Sequence, residues 1–264
     1  MVNKEENYTF PWGFHLGDLT KNGGSMPLYT PTNDGGFCLL YDKVSEKKSD
    51  TMMECLALEL LATMPHESLT VDLFDFGKKK FYSLSPLQYM QTYRVSHNKD
   101  MVEARFEELE NIIITRHQEL LCCNRQTIDE HNTKSKMKKD YHLILMNLEK
   151  FPNDDIELRR IKNFVESAYA AGVYVIAFGY HEILESKNES VQAILKQFKH
   201  IKVSQNEFAI TEKIFEFVEL LEDHEFEPLD IEKELLLQKA MDNADLEEFI
   251  NPENIKLETD TKVK

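Results

Sequence analysis

Four short apolar runs, separated by stretches with helical spacing, constrain the fold of this chain more than anything else in it. They are FCLLY at 37–41, LTVDLFD at 69–75, LILM at 143–146 and VYVIAF at 173–178. Each has the length of a strand, and near-continuous apolar character marks strands buried on both faces. Between them lie helical patterns at 50–63 (closed by Pro65), 99–122, 155–171 and 188–198, then a short strand at 201–204 and a helix at 211–222. The stretch 99–122 carries its stripe on Phe106, Leu109, Ile112, Ile113, Leu120 and Leu121. Strands alternating with helices predict an α/β fold with a mostly parallel central sheet and helices on both faces.

A Gly- and Pro-punctuated lead-in, 1–35, precedes this body and is expected to hold short strands near 14–16 and 28–30. The α/β domain is expected over 36–225, followed by a tail, 226–264. In the tail Ile231, Leu235, Leu236, Ala240 and Met241 give a short amphipathic helix, and 245–250 a further turn or two. Such a segment either docks, on a partner or on its own body, or stays solvated. Charge is concentrated there: residues 216–264 hold 16 acidic and 5 basic side chains, a net −11 of the −16 carried by the whole chain. So acidic a chain is repelled by phosphate backbones overall, but the near-balanced body leaves DNA contact open.

No apolar run reaches the roughly 18 residues of a membrane span, and the start, MVNKEENYTFPW, has no apolar core of a signal peptide. A cytoplasmic chain with no membrane contact is the expectation. Cys38, Cys55, Cys122 and Cys123 form no C-x-x-C pair and the nine histidines are scattered, so no metal site is read from them.

The turn after the first core strand carries the chemistry. Residues 42–49, DKVSEKKS, place Lys48 and Ser49 where G-x-x-x-x-G-K-[ST] has its last two residues, between a strand and a helix. Asp42 and Lys47 stand where that motif needs glycine, and Asp50 follows. In such a loop, glycines let backbone N–H groups turn toward phosphates while the lysine and hydroxyl meet the β/γ-phosphates and Mg²⁺. Asp75 lies at a strand's C-terminal end, where open α/β sheets gather ligands, and equally suits a cap on the turn before Gly77.

Together these landmarks resemble the motor domain of the FtsK/SpoIIIE family, ring-forming ATPases that pump double-stranded DNA. LFDFGKKKF resembles its strand ending in aspartate. The helix ending Arg116-His117, with Thr127-Ile128-Asp129-Glu130-His131-Asn132 after it, resembles its basic-aromatic helix and following turn. The strand 143–147 with Glu149 resembles its magnesium strand, and Ala170-Ala171-Gly172-Val173-Tyr174-Val175-Ile176 its A-A-G-I segment. The resemblance spans roughly 14–204 and implies a RecA-like P-loop NTPase fold, with ATP and Mg²⁺ as cofactors. It also assigns roles: Asp42, Lys47, Lys48, Ser49 and Asp50 at the nucleotide, Asn147 and Glu149 as catalytic or metal-site positions with Ser49, and Tyr180 at the sensor.

The departures are as informative. Both loop glycines, the metal aspartate (here Asn147, followed by Leu148) and the sensor glutamine (here Tyr180) are replaced. Three losses in three motifs point to a degenerate, non-hydrolysing pseudo-ATPase. Its expected role is as a structural or regulatory subunit of a DNA-handling machine, in translocation, transfer or defence. It would work beside an active motor or nuclease, or as a homo-oligomer. The alternatives are an active DNA-dependent ATPase with an unorthodox loop, favoured by the surviving Lys-Ser pair, and an acidic DNA mimic, which removal of the residues after Pro228 would test.

Overall fold

The computed structural model describes residues 8–77, 81–122, 124–152, 158–203, 208–210 and 224–243. Its strands are β1 (Gly13–Lys21), β2 (Gly24–Pro31), β3 (Gly36–Tyr41), β4 (Leu69–Phe74), β5 (Tyr93–Ser96), β6 (Tyr141–Asn147), β7 (Val173–Tyr180), β8 (Lys199–Val203), β9 (Phe208–Ile210) and β10 (Glu225–Pro228). Its helices are α1 (Glu46–Thr63), α2 (Lys99–Glu119), α3 (Ile128–Lys134), α4 (Leu158–Ser167), α5 (Glu189–Gln197) and α6 (Lys233–Asn243).

The four apolar runs become β3, β4, β6 and β7, inner strands of a sheet ordered β5-β4-β6-β7-β3-β8-β9. All pairings are parallel except that of β9 with β8. Every residue of β3 and β6 is buried, which is why these runs lack polar alternation. One face of the sheet, through Leu39, Leu145 and Ile176, packs under α1. The other, through Leu40, Ile144 and Val175, meets α2, α4 and α5 by way of Phe106, Phe164 and Ile194. The predicted α/β sheet with helices on both faces is therefore the fold observed.

α1 is buried almost all round from Met52 to Leu58 because it is sandwiched. Above it lies a second, antiparallel sheet, β10-β1-β2, and beside that α6. The short strands expected at 14–16 and 28–30 are parts of this longer hairpin. Gly17 sits at its bulge with φ +142°, and a Cβ there would lie 2.1 Å from the Glu227 carbonyl oxygen. Only glycine lets β10 approach so closely.

The segment 224–243 is thus fastened to the body. Leu229 N–H donates to the Leu16 carbonyl at 2.8 Å, and Leu236 and Ala240 are buried. The Lys233 ammonium meets the largely buried Glu54 carboxylate, which also accepts from the Ser83 N–H at 3.4 Å and hydroxyl at 3.2 Å. The helix expected at 211–222, the turn at 245–250, residue 204, and the 155–157 start of the helix expected at 155–171 lie outside the described residues. Among the described residues no helix is long and apolar enough to cross a membrane.

Candidate nucleotide site

Parallel strands bring their C-terminal ends to one edge, and there the P-loop-like turn meets the other predicted residues. β7 lies between β3 and β6, so Tyr180 is directly in register with Tyr41, and the two rings sit 5.4 Å apart edge to face. Asn147 ends β6, in register with Phe178. Asp75 follows β4, a strand further away, which puts it roughly 14 Å across the sheet from β3.

The turn closes on itself. Asp42 Oδ1 accepts from the N–H groups of Val44 at 3.0 Å and Ser45 at 2.7 Å. The Ser45 hydroxyl lies 2.8 Å from that same oxygen and 2.8 Å from the Val203 carbonyl of β8, with one proton to share between them. This side-chain turn finishes the loop in four residues, so α1 begins at Glu46 rather than at the expected 50. Lys47, Lys48 and Ser49 therefore lie in the first helical turn. Lys47 and Lys48 are exposed, whereas Ser49 is buried with its hydroxyl donating to the Ser45 carbonyl at 3.0 Å.

As folded, this turn offers a nucleotide little. The Val44 and Ser45 N–H groups, of the kind a phosphate loop turns toward its ligand, are held by a carboxylate of the loop itself. Asn147 is fully buried; its Oδ1 accepts from the Glu149 N–H at 3.0 Å, and its Nδ2 has no hydrogen-bond partner among the described residues. Asn147 brings no negative charge and its oxygen already accepts inside the chain, so the end of β6 does not offer the carboxylate that suits hydrated magnesium. Among the described residues no three His, Cys, Asp or Glu side chains are placed to hold a metal.

The sensor-like position is also engaged. Tyr180 O–H donates to Glu46 Oε2 at 2.6 Å, tying the end of β7 to the start of α1. That bond, then burial and the charges of Glu46, Glu149 and Asp50, pushes the Tyr180 phenol up to about 12. Burial, then Asp50, Glu149 and Glu46, pushes Tyr41 up further. Glu149 follows the end of β6 and lies beside Gly179, so it reaches the same edge as the turn. Three carboxylates, Glu46, Asp50 and Glu149, thus act on the two phenols at this edge, and Asp42 adds a fourth in the adjoining turn. Asp75 is apart from them: it accepts from the Gly77 N–H at 2.8 Å and lies 3.0 Å from His97 Nδ1, the turn cap that its sequence allowed.

Sequence reasoning did not single out Glu46, Tyr41 or Ser45. A Ser-Glu pair at a helix start reads only as capping chemistry, and Glu46 finds Tyr180 across 134 residues. The other landmarks do architectural work. Arg116, buried, donates to the carbonyls of Asp140 at 2.9 Å and Ala171 at 2.7 Å, joining α2 to the starts of β6 and β7. Thr127 Oγ1 accepts from the Glu130 N–H at 3.3 Å while Glu130 accepts from Gln126 N–H at 3.1 Å, capping α3.

No family model matches the sequence, and no curated protein matches it. Solved structures do. ATPases 2 and 3 of EssC from Geobacillus thermodenitrificans are 14% identical with a TM-score of 0.62, over 92% of this chain and 50% of that one. The conjugation coupling protein TcpA of pCW3, solved with ATPgS, is 14% identical with a TM-score of 0.58, over 89% of this chain and 74% of that one. The cytoplasmic domain of the type VII secretion ATPase EccC of Thermomonospora curvata is 12% identical with a TM-score of 0.55, over 74% and 22%. The chain spans half the length of the EssC structure. It has the RecA-like α/β fold of FtsK/SpoIIIE-type ATPase domains.

Proposed function

We propose that this chain is an ATPase-fold domain that no longer hydrolyses a nucleotide and acts through contacts with other proteins. Its setting would be a multi-subunit machine that moves DNA or protein, as the conjugation and secretion ATPases sharing its fold suggest. One observation carries the reading: the Asp42 carboxylate already takes the Val44 and Ser45 N–H groups at 3.0 and 2.7 Å. A loop closed by its own anion has no need of phosphate to hold its shape. The Tyr180–Glu46 bond supports the same conclusion, because it closes the space between turn and sensor strand without a ligand.

In this reading Lys48 is a solvated lysine, Asn147 and Glu149 brace the end of β6, and the fold is kept as a scaffold for assembly. Retained nucleotide would be a structural ligand. The test is equilibrium binding of labelled ATP with Mg²⁺, alongside phosphate release with and without duplex DNA, using Lys48→Ala as control. Turnover that depends on Lys48 refutes the proposal and makes the chain a motor with an unusual loop. Absence of turnover, with or without binding, supports it.

A further inference from the structure

We propose that the loop joining α3 to β6 is a preformed surface for the phosphate backbone of duplex nucleic acid. This rests on the DNA-handling part of the reading above, and it concerns the opposite edge of the sheet from the nucleotide site. Residues 131–139, HNTKSKMKK, contain four lysines and no acidic residue in a chain of net charge −16.

The backbone of this loop is held from beneath by two buried side chains. Asn132 grips Lys139 at both main-chain groups: its Oδ1 accepts from the Lys139 N–H at 2.8 Å and its Nδ2 donates to the Lys139 carbonyl at 2.8 Å. His131 Nε2 lies 3.0 Å from the Met137 carbonyl and must donate to it, which leaves Nδ1 to accept from Arg125 Nη1 at 3.0 Å. Ser135 Oγ accepts from the Met137 N–H at 3.1 Å, fixing the tip. Lys134, Lys136 and Lys138 are exposed residues on this frame and Lys139 is half-buried; the Lys134 ammonium donates to the Asn124 carbonyl at 3.0 Å and that of Lys138 to the Asn132 carbonyl, contacts that hold the charges in place and leave further N–H groups on each ammonium. Met137, 74% exposed, stands among them.

Neighbouring carboxylates do little to neutralise the loop. Asp129 accepts from the Tyr141 hydroxyl at 2.5 Å and the Phe10 N–H at 3.0 Å. Asp140 pairs with Arg116 at 2.7 Å and with His142 at 3.1 Å. Among the described residues, Glu130 is the carboxylate that pairs with a loop lysine, Lys134, at 3.8 Å. A loop whose lysines served only solubility would need no buried Asn and His to fix its path. Holding like charges in one frame costs repulsion, and a phosphate chain relieves it while little ordering remains to be done on binding.

The experiment measures binding of a short fluorescent duplex by anisotropy over a salt series. It compares the wild-type chain with Lys136→Ala/Lys138→Ala, exposed positions; because the Lys138 ammonium also meets the Asn132 carbonyl, the fold of this variant is checked by circular dichroism. Wild type should bind at low salt, independently of sequence. The double variant should bind more weakly, with the slope of log K against log salt shallower by about 1.8, two phosphate contacts' worth. Asn132→Ala, checked for folding by circular dichroism, should weaken binding at unchanged slope, because it loosens the frame and keeps the charge. Equal affinities and slopes for wild type and double variant overturn the proposal. So does an absence of duplex binding at low salt, or loop-dependent binding of poly-glutamate in place of duplex, which would make the partner an acidic protein. Phosphate release is read separately, so a hydrolysing chain that binds duplex through this loop would refute the pseudo-ATPase reading and leave the surface standing.

Discussion

Replacing Asp42 probes the closed turn directly, and two substitutions separate its structural from its electrostatic contribution. Asp42→Asn keeps an oxygen that can accept from the turn and removes the charge, while Asp42→Gly removes both. The wild-type carboxylate accepts from the Val44 N–H at 3.0 Å and the Ser45 N–H at 2.7 Å, and lies 2.8 Å from the Ser45 hydroxyl. Hydrogen bonds to charged groups contribute about 1.5–3 kcal/mol each when buried. Val44 is exposed and its N–H returns to water, so the contacts to buried Ser45 dominate. Asp42→Gly should then cost about 2 kcal/mol and Asp42→Asn about 1 kcal/mol, read as shifts in the urea midpoint. For binding, unit charges about 6 Å apart at an effective dielectric near 20 repel by about 3 kcal/mol. Either variant should therefore bind ATP–Mg²⁺ up to about a hundredfold more tightly than wild type in equilibrium binding. A wild-type affinity equal to that of Asp42→Asn would refute the claim that this carboxylate excludes phosphate. An unshifted urea midpoint for Asp42→Gly would refute the claim that it holds the turn.

Three further perturbations test the architecture around the site. Gly17→Ala places a Cβ 2.1 Å from the Glu227 carbonyl oxygen at φ +142° and should cost at least about 1 kcal/mol, with faster amide exchange at Leu229; unchanged exchange would mean β10 is not held there. Lys233→Ala leaves the Glu54 charge in a largely buried setting without its ammonium and, after allowance for the partly exposed lysine, should lower stability by about 1–2 kcal/mol in urea. Glu54→Gln in the same chain should recover part of that loss, and no recovery would place the effect elsewhere. Burial alone would raise the Asp140 carboxyl, but His142, whose Nε2 lies 3.1 Å away, and the charge of Arg116 bring it down to about 2. A depressed carboxyl stabilises the fold above its unfolded value near 4, and that contribution is lost as pH falls from about 4 through about 2. Asp140→Asn should flatten the fall of Tm in that window, and an unaltered acid limb would count against the assignment.

The strands β3, β4, β6 and β7 were legible because a strand covered on both faces needs an unbroken apolar run, and little else in a chain looks like one. β5 was not, being four residues at the sheet edge with Arg94 and Ser96 among them. The hairpin β1–β2 was read short because its Gly, Thr and Pro residues look like turns; its pairing and the underside contact with α1 make strands of them. The start of α1 was misplaced by four residues because the sequence shows polar residues at 42–50 without showing that Asp42 and Ser45 bond each other.

By itself the sequence determined the alternation of strand and helix, hence the parallel sheet, and it showed Asp42 and Lys47 at the glycine positions, and Asn147 at the aspartate position, of the motifs it resembles. These are local properties, periodicity and residue type at a spacing. Only the tertiary structure decided what those residues contact. Asp42 filling its own loop and Asn132 with His131 fixing a lysine-bearing loop are side-chain contacts to nearby main chain, while Tyr180 reaching Glu46 joins residues 134 apart. Hydrogen bonds act over about 3 Å, so which donors meet which acceptors is settled only when packing has brought the ends of β3, β6 and β7 to one edge.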